Sequence, residues 1–138
     1  MSHCLGQVLP RESIAVSEYW LDRDWIDFET PGSYFSTPPA GGLGWGLPAA
    51  LGVSQASPDR PVVCAVGDGA YLFANPAACH QVAAALKLPV LTVVCNNRNW
   101  HAVHWSALSV YPTGHASRHP MPRPLSDLGP SPEFEKYA

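Results

Sequence analysis

The chain contains few charged residues. Asp, Glu, Lys and Arg make up 14% of its 138 residues, and the formal net charge is −3. No cluster of basic residues is present, which argues against nucleic acid as a partner. Because so few charges are typical of a surface that packs against other domains or subunits, we expect part of this surface to be covered.

Long apolar runs are also missing. No stretch reaches the roughly 18 consecutive apolar residues that a membrane-spanning helix needs. Residues 1–4 do not combine a basic region with an apolar core, so the sequence predicts no secretory signal. The four cysteines lack the spacing of metal ligands, and we interpret them as small buried residues of a protein in a reducing compartment. These features favour a cytoplasmic protein without a membrane partner.

Two continuous apolar runs carry the strongest structural signal. Residues 61–66 and 89–95 do not alternate between apolar and polar, which is typical of parallel strands buried on both faces. A helix between them is predicted to begin with Asn75 as its N-cap and Pro76 in its first turn. Strand, helix and strand form a βαβ unit. The sequence therefore predicts an α/β fold, with a parallel sheet and helices on both faces.

Shorter patterns predict the elements around this unit. A first strand is predicted at residues 13–17, and helices are predicted at residues 18–26, at residues 45–56 and from residue 100 onward. A turn is predicted at residues 31–34 and a loop at residues 38–44. The proline-rich tail, residues 106–138, is predicted to be irregular apart from a helix start at residues 131–137. An interrupted helix there favours a fragment, so we expect residues 1–138 to form one truncated domain.

A polar motif follows each of the two apolar runs. A GDG triplet occupies residues 67–69, and Asn96 and Asn97 follow the second run. Ligands of open parallel sheets bind beyond the carboxyl ends of the strands, so we expect the two motifs to lie at one edge. The carboxylate of Asp68 and the amide oxygens are hard ligands that suit Mg²⁺ carrying a phosphate group.

The two motifs resemble those of thiamine-diphosphate-dependent enzymes. GDG, a spacer of helix length and NN mark the diphosphate-binding domain of this family. Residues 31–34 and 41–52 resemble a second stretch of its benzoylformate decarboxylase and acetolactate synthase branch. The resemblance covers residues 13–105 and implies a thiamine-diphosphate-binding fold. In the complete enzyme it implies decarboxylation of a 2-oxo acid, with acetolactate synthase-like carboligation as the alternative, the cofactor being the electron sink.

The resemblance implies a magnesium site. Asp68, the side chain of Asn97 and the backbone carbonyl of Asn99 would ligate the ion, and diphosphate oxygens and water would complete an octahedron. Asn96 would support the turn, because the second asparagine is the ligand in the family. The alternative of a zinc cluster around His101 and His104 lacks a cysteine or carboxylate at ligand spacing.

The resemblance also implies how the cofactor is held. Gly69 and Ala70 would offer backbone N–H groups to the diphosphate. Leu43 would be the apolar wedge that bends the cofactor, and the carbonyl of Gly41 would accept a hydrogen bond from its aminopyrimidine. The full predicted set of cofactor residues is Gly41, Gly42, Leu43, Gly67, Asp68, Gly69, Ala70, Asn97 and Asn99.

Two departures from the family pattern bear on function. Ala70 stands where the family usually has a serine whose hydroxyl touches phosphate. The glutamate that activates the cofactor lies in the family on a separate pyrimidine-binding domain from a partner subunit. We therefore expect the chain to need such a partner, to assemble as a homo-oligomer (a dimer or tetramer), and to be inactive alone. The further alternative is a non-catalytic remnant or assembly subunit.

Overall fold

Four parallel strands form one sheet in the computed structural model, which describes residues 1–19, 21–118 and 126–137. The strand order is β2-β1-β3-β4. The strands are β1 (Ile14–Ser17), β2 (Tyr34–Ser36), β3 (Val62–Gly67) and β4 (Val90–Cys95). Both strands predicted from apolar runs are present as β3 and β4, and they pair in parallel along their whole length. The predicted parallel sheet is confirmed.

Helices connect the strands and flank the sheet. In the described residues they are α1 (Ser2–Val8), α2 (Gly46–Ala56), α3 (Asp68–Phe73), α4 (Pro76–Leu86), α5 (His101–Val110) and α6 (His115–Arg118), with 3-10 turns at Arg23–Trp25 and Phe134–Lys136. None of these helices has the length and apolarity to cross a membrane.

The core lies on both faces of the sheet. Alternate residues of a strand point to opposite faces, and β3 follows this rule. Cys64 and Val66 join a cluster with α2, α3 and α4, whereas Val63 and Ala65 join a second cluster with residues of the 21–28 segment and the first helix. Because β3 is covered on both sides, its apolar run is continuous. The predicted placement of helices on both faces is confirmed.

Residues 18–26 do not form the predicted helix. Leu21 and Ile26 are buried beneath the sheet, and the described part of this segment contains only the 3-10 turn. The Tyr34 hydroxyl donates a 2.7 Å hydrogen bond to the Leu21 carbonyl. Packing against the sheet thus overrides the helical pattern. The structure also adds β2, which the sequence analysis missed because prolines bracket this strand of three residues.

Two helices, rather than one, link β3 to β4. The GDG triplet opens α3, and Asn75 stands between α3 and α4. Asn75 occupies the N-cap position with a left-handed φ of 55°, but its side chain makes no capping hydrogen bond. The spacer therefore contains a break between two helices, which the alanine-rich pattern alone does not reveal.

The tail contains more helix than predicted. Helix α5 continues through residues 106–110, and α6 follows it. Residues 131–137 contain only a 3-10 turn, so the predicted helix start there was wrong. Residues 119–125 of the tail lie outside the described residues. Residues 126–128 matter for the site, because they pair with the loop after β4.

The strand order creates a crevice at one edge of the sheet. From β1 the chain proceeds to β2 on one side, whereas β3 and β4 lie on the other. The connections therefore leave β1 and β3 in opposite directions. Open α/β sheets bind ligands at such a reversal, outside the carboxyl ends of the strands. Both predicted motifs follow strands that end at this edge.

Candidate functional site

A cleft opens beyond the carboxyl ends of β1, β3 and β4. Seven of the nine predicted cofactor residues line it, namely Leu43, Gly67, Asp68, Gly69, Ala70, Asn97 and Asn99. Gly41 and Gly42 belong to the same loop as Leu43 but are exposed and are not among the described lining residues. The fold thus brings the GDG triplet, the asparagine loop and the tip of the glycine-rich loop into one place.

Asp68 is a buried carboxylate among the residues that line this cleft. It follows the last residue of β3 and begins α3, and it is 2% exposed. Its Oδ1 accepts a 3.0 Å hydrogen bond from the Gly69 N–H, but its buried Oδ2 has no hydrogen-bond partner. A buried polar atom without a partner is unfavourable by about 1–3 kcal/mol, and more when it is charged. This carboxylate oxygen is therefore suited to a cation.

Asparagine side chains fold the loop after β4. Asn96 Oδ1 accepts a 3.1 Å hydrogen bond from the Arg98 N–H, and Asn97 Oδ1 accepts a 2.9 Å bond from the Asn99 N–H. Arg98 has a left-handed φ of 56°. Such side-chain bonds to the backbone two residues on stabilise tight turns. Asn96 also donates to Ser131 Oγ at 2.8 Å, so it ties the turn to the tail.

Asn99 offers two oxygens at the cleft. It is 5% exposed, and its side-chain Oδ1 is buried without a partner. Its backbone carbonyl, the predicted ligand, accepts a 2.7 Å hydrogen bond from the His101 N–H. A carbonyl has two lone pairs, so this bond leaves one free for a ligand.

The tail holds the asparagine loop in position. The Trp100 N–H donates to the Ser126 carbonyl, and the Leu128 N–H donates to the Arg98 carbonyl, both at 2.9 Å. Asn99 and Asp127 form an isolated antiparallel bridge. Pairing between residues so far apart leaves no local pattern, so this support could not be predicted from the sequence.

Glu18 is a further cleft residue that the sequence analysis missed. It follows the last residue of β1, and it is 5% exposed. Its carboxylate accepts hydrogen bonds from the Gly44 N–H and, at 2.8 Å, from the Gly46 N–H. These two bonds hold the loop that carries Leu43. The Leu43 side chain is 41% exposed and lines the cleft. The position of Glu18 directly after a buried strand, at the edge where ligands bind, was the available signal.

Trp100 closes the cleft over the GDG triplet. A Cβ at Gly69 would lie 1.8 Å from Trp100 Cδ1 and 2.0 Å from Nε1, so this glycine is required for close approach. The indole Nε1–H is buried and has no partner. Of the two histidines that follow, His101 lines the cleft and stacks on Trp105, whereas His104 is not among the described lining residues.

The charges around the cleft are negative. Its described lining contains the carboxylates of Glu18 and Asp68 and no lysine or arginine. No group of three or more His, Cys, Asp and Glu gathers as a metal cluster in the described parts of the chain. Direct contact between these carboxylates and an anionic ligand would therefore be repulsive. Beneath the cleft, burial and the nearby Glu18 carboxylate raise the pKa of the Cys64 thiol to about 12, so this thiol is unreactive.

The cleft is small. Its volume is about 90 Å³, whereas pockets that enclose a drug-sized molecule measure roughly 300–1,000 Å³. The described part of the chain is therefore too open here to enclose a molecule of that size.

Comparison with known families decides the relationship. A family model described as "Thiamine pyrophosphate enzyme, C-terminal TPP binding domain" matches residues 14–138. The chain belongs to this family. The thiamine pyrophosphate-binding domain explains why the GDG triplet and the asparagine loop meet at one edge, and it confirms the resemblance drawn from those motifs.

Individual relatives point to the same branch of the thiamine pyrophosphate enzymes. Benzoylformate decarboxylase from Pseudomonas aeruginosa is 36% identical over 110 residues, covering 75% of this chain and 20% of the relative. Acetolactate synthase isozyme 3 large subunit from Escherichia coli is 41% identical over 73 residues, covering 51% of this chain and 12% of the relative. The chain thus spans about a fifth or less of these two relatives.

A solved structure resembles nearly the whole chain. It is the thiamine diphosphate-dependent 4-hydroxybenzoylformate decarboxylase of Rhodococcus jostii RHA1, with a TM-score of 0.77 and 31% sequence identity. The match covers 97% of this chain and 24% of that structure. The similarity supports the fold described above as that of one part of a larger enzyme.

Proposed function

We propose that this chain binds thiamine diphosphate through Mg²⁺, as part of a benzoylformate decarboxylase-like enzyme that decarboxylates a 2-oxo acid or ligates the product. The observation that carries the proposal is the buried, unpartnered Oδ2 of Asp68 in the cleft of a thiamine pyrophosphate-binding domain. A single carboxylate beside amide and carbonyl oxygens is the hard donor set that Mg²⁺ prefers.

The charge of the cleft supports the metal. Two carboxylates and no basic side chain occur among its described lining residues. Diphosphate is itself anionic, so direct contact with Asp68 is repulsive unless a cation lies between them. Asp68, the side chain of Asn97 and an oxygen of Asn99 would hold that cation. The backbone N–H of Ala70, in the first turn of α3, has no intrahelical partner and can face a diphosphate oxygen.

The remaining residues would position the cofactor. Thiamine diphosphate, when bound, supplies an electron sink for the carbanion that follows loss of CO₂. Leu43 would press against its middle, and Glu18 would hold the Leu43 loop rigid through the two backbone N–H groups. Gly41 and Gly42, on the same loop, would face the part of the cofactor that projects beyond this cleft.

A partner would complete the site. We propose that a pyrimidine-binding domain or subunit supplies the activating glutamate, and that the chain alone does not turn over. The small cleft and the exposed apolar side chains of α5 favour this, since Val103, Trp105 and Val110 are 59%, 65% and 66% exposed. A homo-oligomer, a dimer or tetramer, is the proposed assembly. The four free cysteines suit a cytoplasmic setting.

Two other functions remain as candidates. Acetolactate synthase-like carboligation is the first, and the 41% identity with an acetolactate synthase subunit over 51% of this chain supports it. A non-catalytic assembly subunit is the other candidate, and it would keep the fold without using the metal site. The binding experiment below separates the assembly subunit from both enzymes, and product analysis with a complementing partner separates the two enzymes.

Calorimetric titration with thiamine diphosphate tests the proposal. We expect binding in the presence of Mg²⁺ and little binding in the presence of a chelator. Asp68→Ala should abolish the dependence on Mg²⁺, whereas Asp59→Ala, at an exposed turn residue, should leave it unchanged. Absence of Mg²⁺-dependent binding by the wild-type chain, even at millimolar cofactor with a pyrimidine-domain partner present, would contradict the proposal.

A further inference from the structure

The buried polar atoms without partners are concentrated at the cleft. Six such side-chain atoms occur in the described residues, and three of them belong to cleft residues. Asp68 Oδ2 and Asn99 Oδ1 are acceptors, which suit a cation. The third atom, Trp100 Nε1, is a hydrogen-bond donor only, because its lone pair belongs to the aromatic ring, and it does not bind a cation. The cleft thus contains two acceptor atoms that can bind a cation and one donor atom that can bind an anion.

We propose that the indole N–H of Trp100 donates a hydrogen bond to the diphosphate group of the cofactor. The inference rests on the proposed function, because it assigns a residue to the ligand proposed there. A magnesium–diphosphate pair would supply a partner to all three atoms. The cation satisfies the acceptors, and a phosphate oxygen accepts from the indole.

The position of the indole supports this role. A Cβ at Gly69 would lie 2.0 Å from Nε1, so the N–H edge of the ring packs directly on the first turn of α3. That turn contains Ala70, whose N–H is proposed to face the diphosphate. The Trp100 backbone is fixed by its 2.9 Å hydrogen bond to the Ser126 carbonyl. The indole, on a held backbone and packed on Gly69, therefore lies next to the residue that contributes the proposed Ala70 donor.

The indole also compensates for a missing hydroxyl. Ala70 contributes no side-chain donor, although the family resemblance leads us to expect a serine there. The Trp100 indole packs against Gly69, the residue before Ala70, so its N–H restores one side-chain donor to the same end of the cleft. This predicts that a hydroxyl at position 70 and the indole N–H at position 100 are interchangeable.

Phenylalanine separates hydrogen bonding from packing. Trp100→Phe retains an aromatic ring against Gly69 but removes the N–H. Hydrogen bonds to charged groups are worth more than neutral ones, so we expect Trp100→Phe to bind magnesium thiamine diphosphate about 10-fold to 100-fold more weakly. Affinity for magnesium with inorganic diphosphate should fall by a similar factor. The control Trp25→Phe, at a residue that is 57% exposed and does not line the cleft, should bind like wild type.

A rescue experiment tests the compensation. Adding Ala70→Ser to Trp100→Phe should recover most of the lost affinity. Ala70→Ser alone should change affinity less than it does in the Trp100→Phe background. Equal effects in both backgrounds would contradict the exchange of one donor for the other.

The indole proton gives a readout that is independent of affinity and activity. The chain contains five tryptophans, so each indole N–H can be assigned in a proton–nitrogen NMR spectrum by single Trp→Phe variants. The Trp100 signal should move downfield when magnesium thiamine diphosphate is added to the wild-type chain. If Trp100→Phe does not fold, variants of the other tryptophans assign the signal by elimination.

The outcomes distinguish the two proposals. If wild type binds magnesium thiamine diphosphate but the Trp100 signal stays in place, or Trp100→Phe folds and binds within twofold of wild type, the role of Trp100 is overturned and the proposed function stands. If wild type does not bind the cofactor at all, even with a pyrimidine-domain partner present, the proposed function fails and the role of Trp100 fails with it.

Discussion

Glu18→Ala should destabilise the chain strongly, although Glu18 lies outside the predicted metal site. The carboxylate is 5% exposed and accepts hydrogen bonds from the N–H groups of Gly44 and Gly46. Alanine leaves both donors without an acceptor in a buried loop. Each unsatisfied donor is unfavourable by about 1–3 kcal/mol, so we expect the free energy of unfolding to fall by about 2–6 kcal/mol.

The loss should be visible as a large shift in melting temperature. A chain of 138 residues has an unfolding entropy near 290 cal/mol/K, so each kcal/mol corresponds to about 3–4 °C. Glu18→Ala should therefore lower Tm by about 7–20 °C. Glu18→Gln keeps one oxygen acceptor but points its amide at the other N–H, and it should lose about half as much.

Thermal and denaturant unfolding followed by circular dichroism measure this effect. The control is Glu12→Ala, at an exposed residue, which should change stability by about 0.5 kcal/mol or less. Affinity for magnesium thiamine diphosphate should fall in Glu18→Gln even where the variant remains folded, because the Leu43 loop loses an anchor. A Glu18→Ala variant that unfolds within about 1 kcal/mol of wild type would refute the claim that this carboxylate holds the loop.

Four other substitutions test separate sites in the chain. The new Cβ of Gly67→Ala would have no heavy atom within 4 Å, so this variant should keep the wild-type Tm. The new Cβ of Gly69→Ala would overlap the Trp100 ring, so this variant should lower Tm by several degrees. Thermal unfolding measures both values. The pKa of Cys64, raised by burial to about 12, means that the unfolded chain releases this proton first. Stability should thus fall between about pH 9 and 12 by up to about 1.4 kcal/mol per pH unit, and Cys64→Ala should flatten that slope in denaturant titrations. Tyr71→Phe removes the hydroxyl that hydrogen-bonds the α4 histidine at 2.6 Å and should cost about 1 kcal/mol of unfolding free energy; a wild-type Tm would contradict it.

Local patterns predicted the elements that are long or strongly apolar. The runs that became β3 and β4, and the small-residue helix that became α2, were found because burial on both faces and close packing leave a continuous signal. The residues brought together at the cleft followed from the rule that parallel strands present their carboxyl ends at one edge. Short elements were missed, since three residues in β2 and six in α3 hold too little pattern.

Contacts between distant segments could not be predicted from the sequence. Glu18 meets the glycine-rich loop only because β1 pairs with β3 and α2 packs across them. The pairing of Trp100 with Ser126 depends on where the tail returns. In both cases the contact depends on the topology of the chain rather than on neighbouring residues. The roles of Glu18 and Trp100 therefore cannot be predicted from the sequence around them.

The two glycines of the GDG triplet illustrate how one motif can meet two different demands. Gly67 has an ordinary extended conformation, with φ −75° and ψ 159°, and a Cβ there would meet open space in the cleft. Nothing in the described chain requires glycine at this position, so the space beside it is available to a ligand. Gly69 is required by the chain itself, because the Trp100 indole occupies the volume that a Cβ would take. The first glycine thus bears on binding and the second on packing.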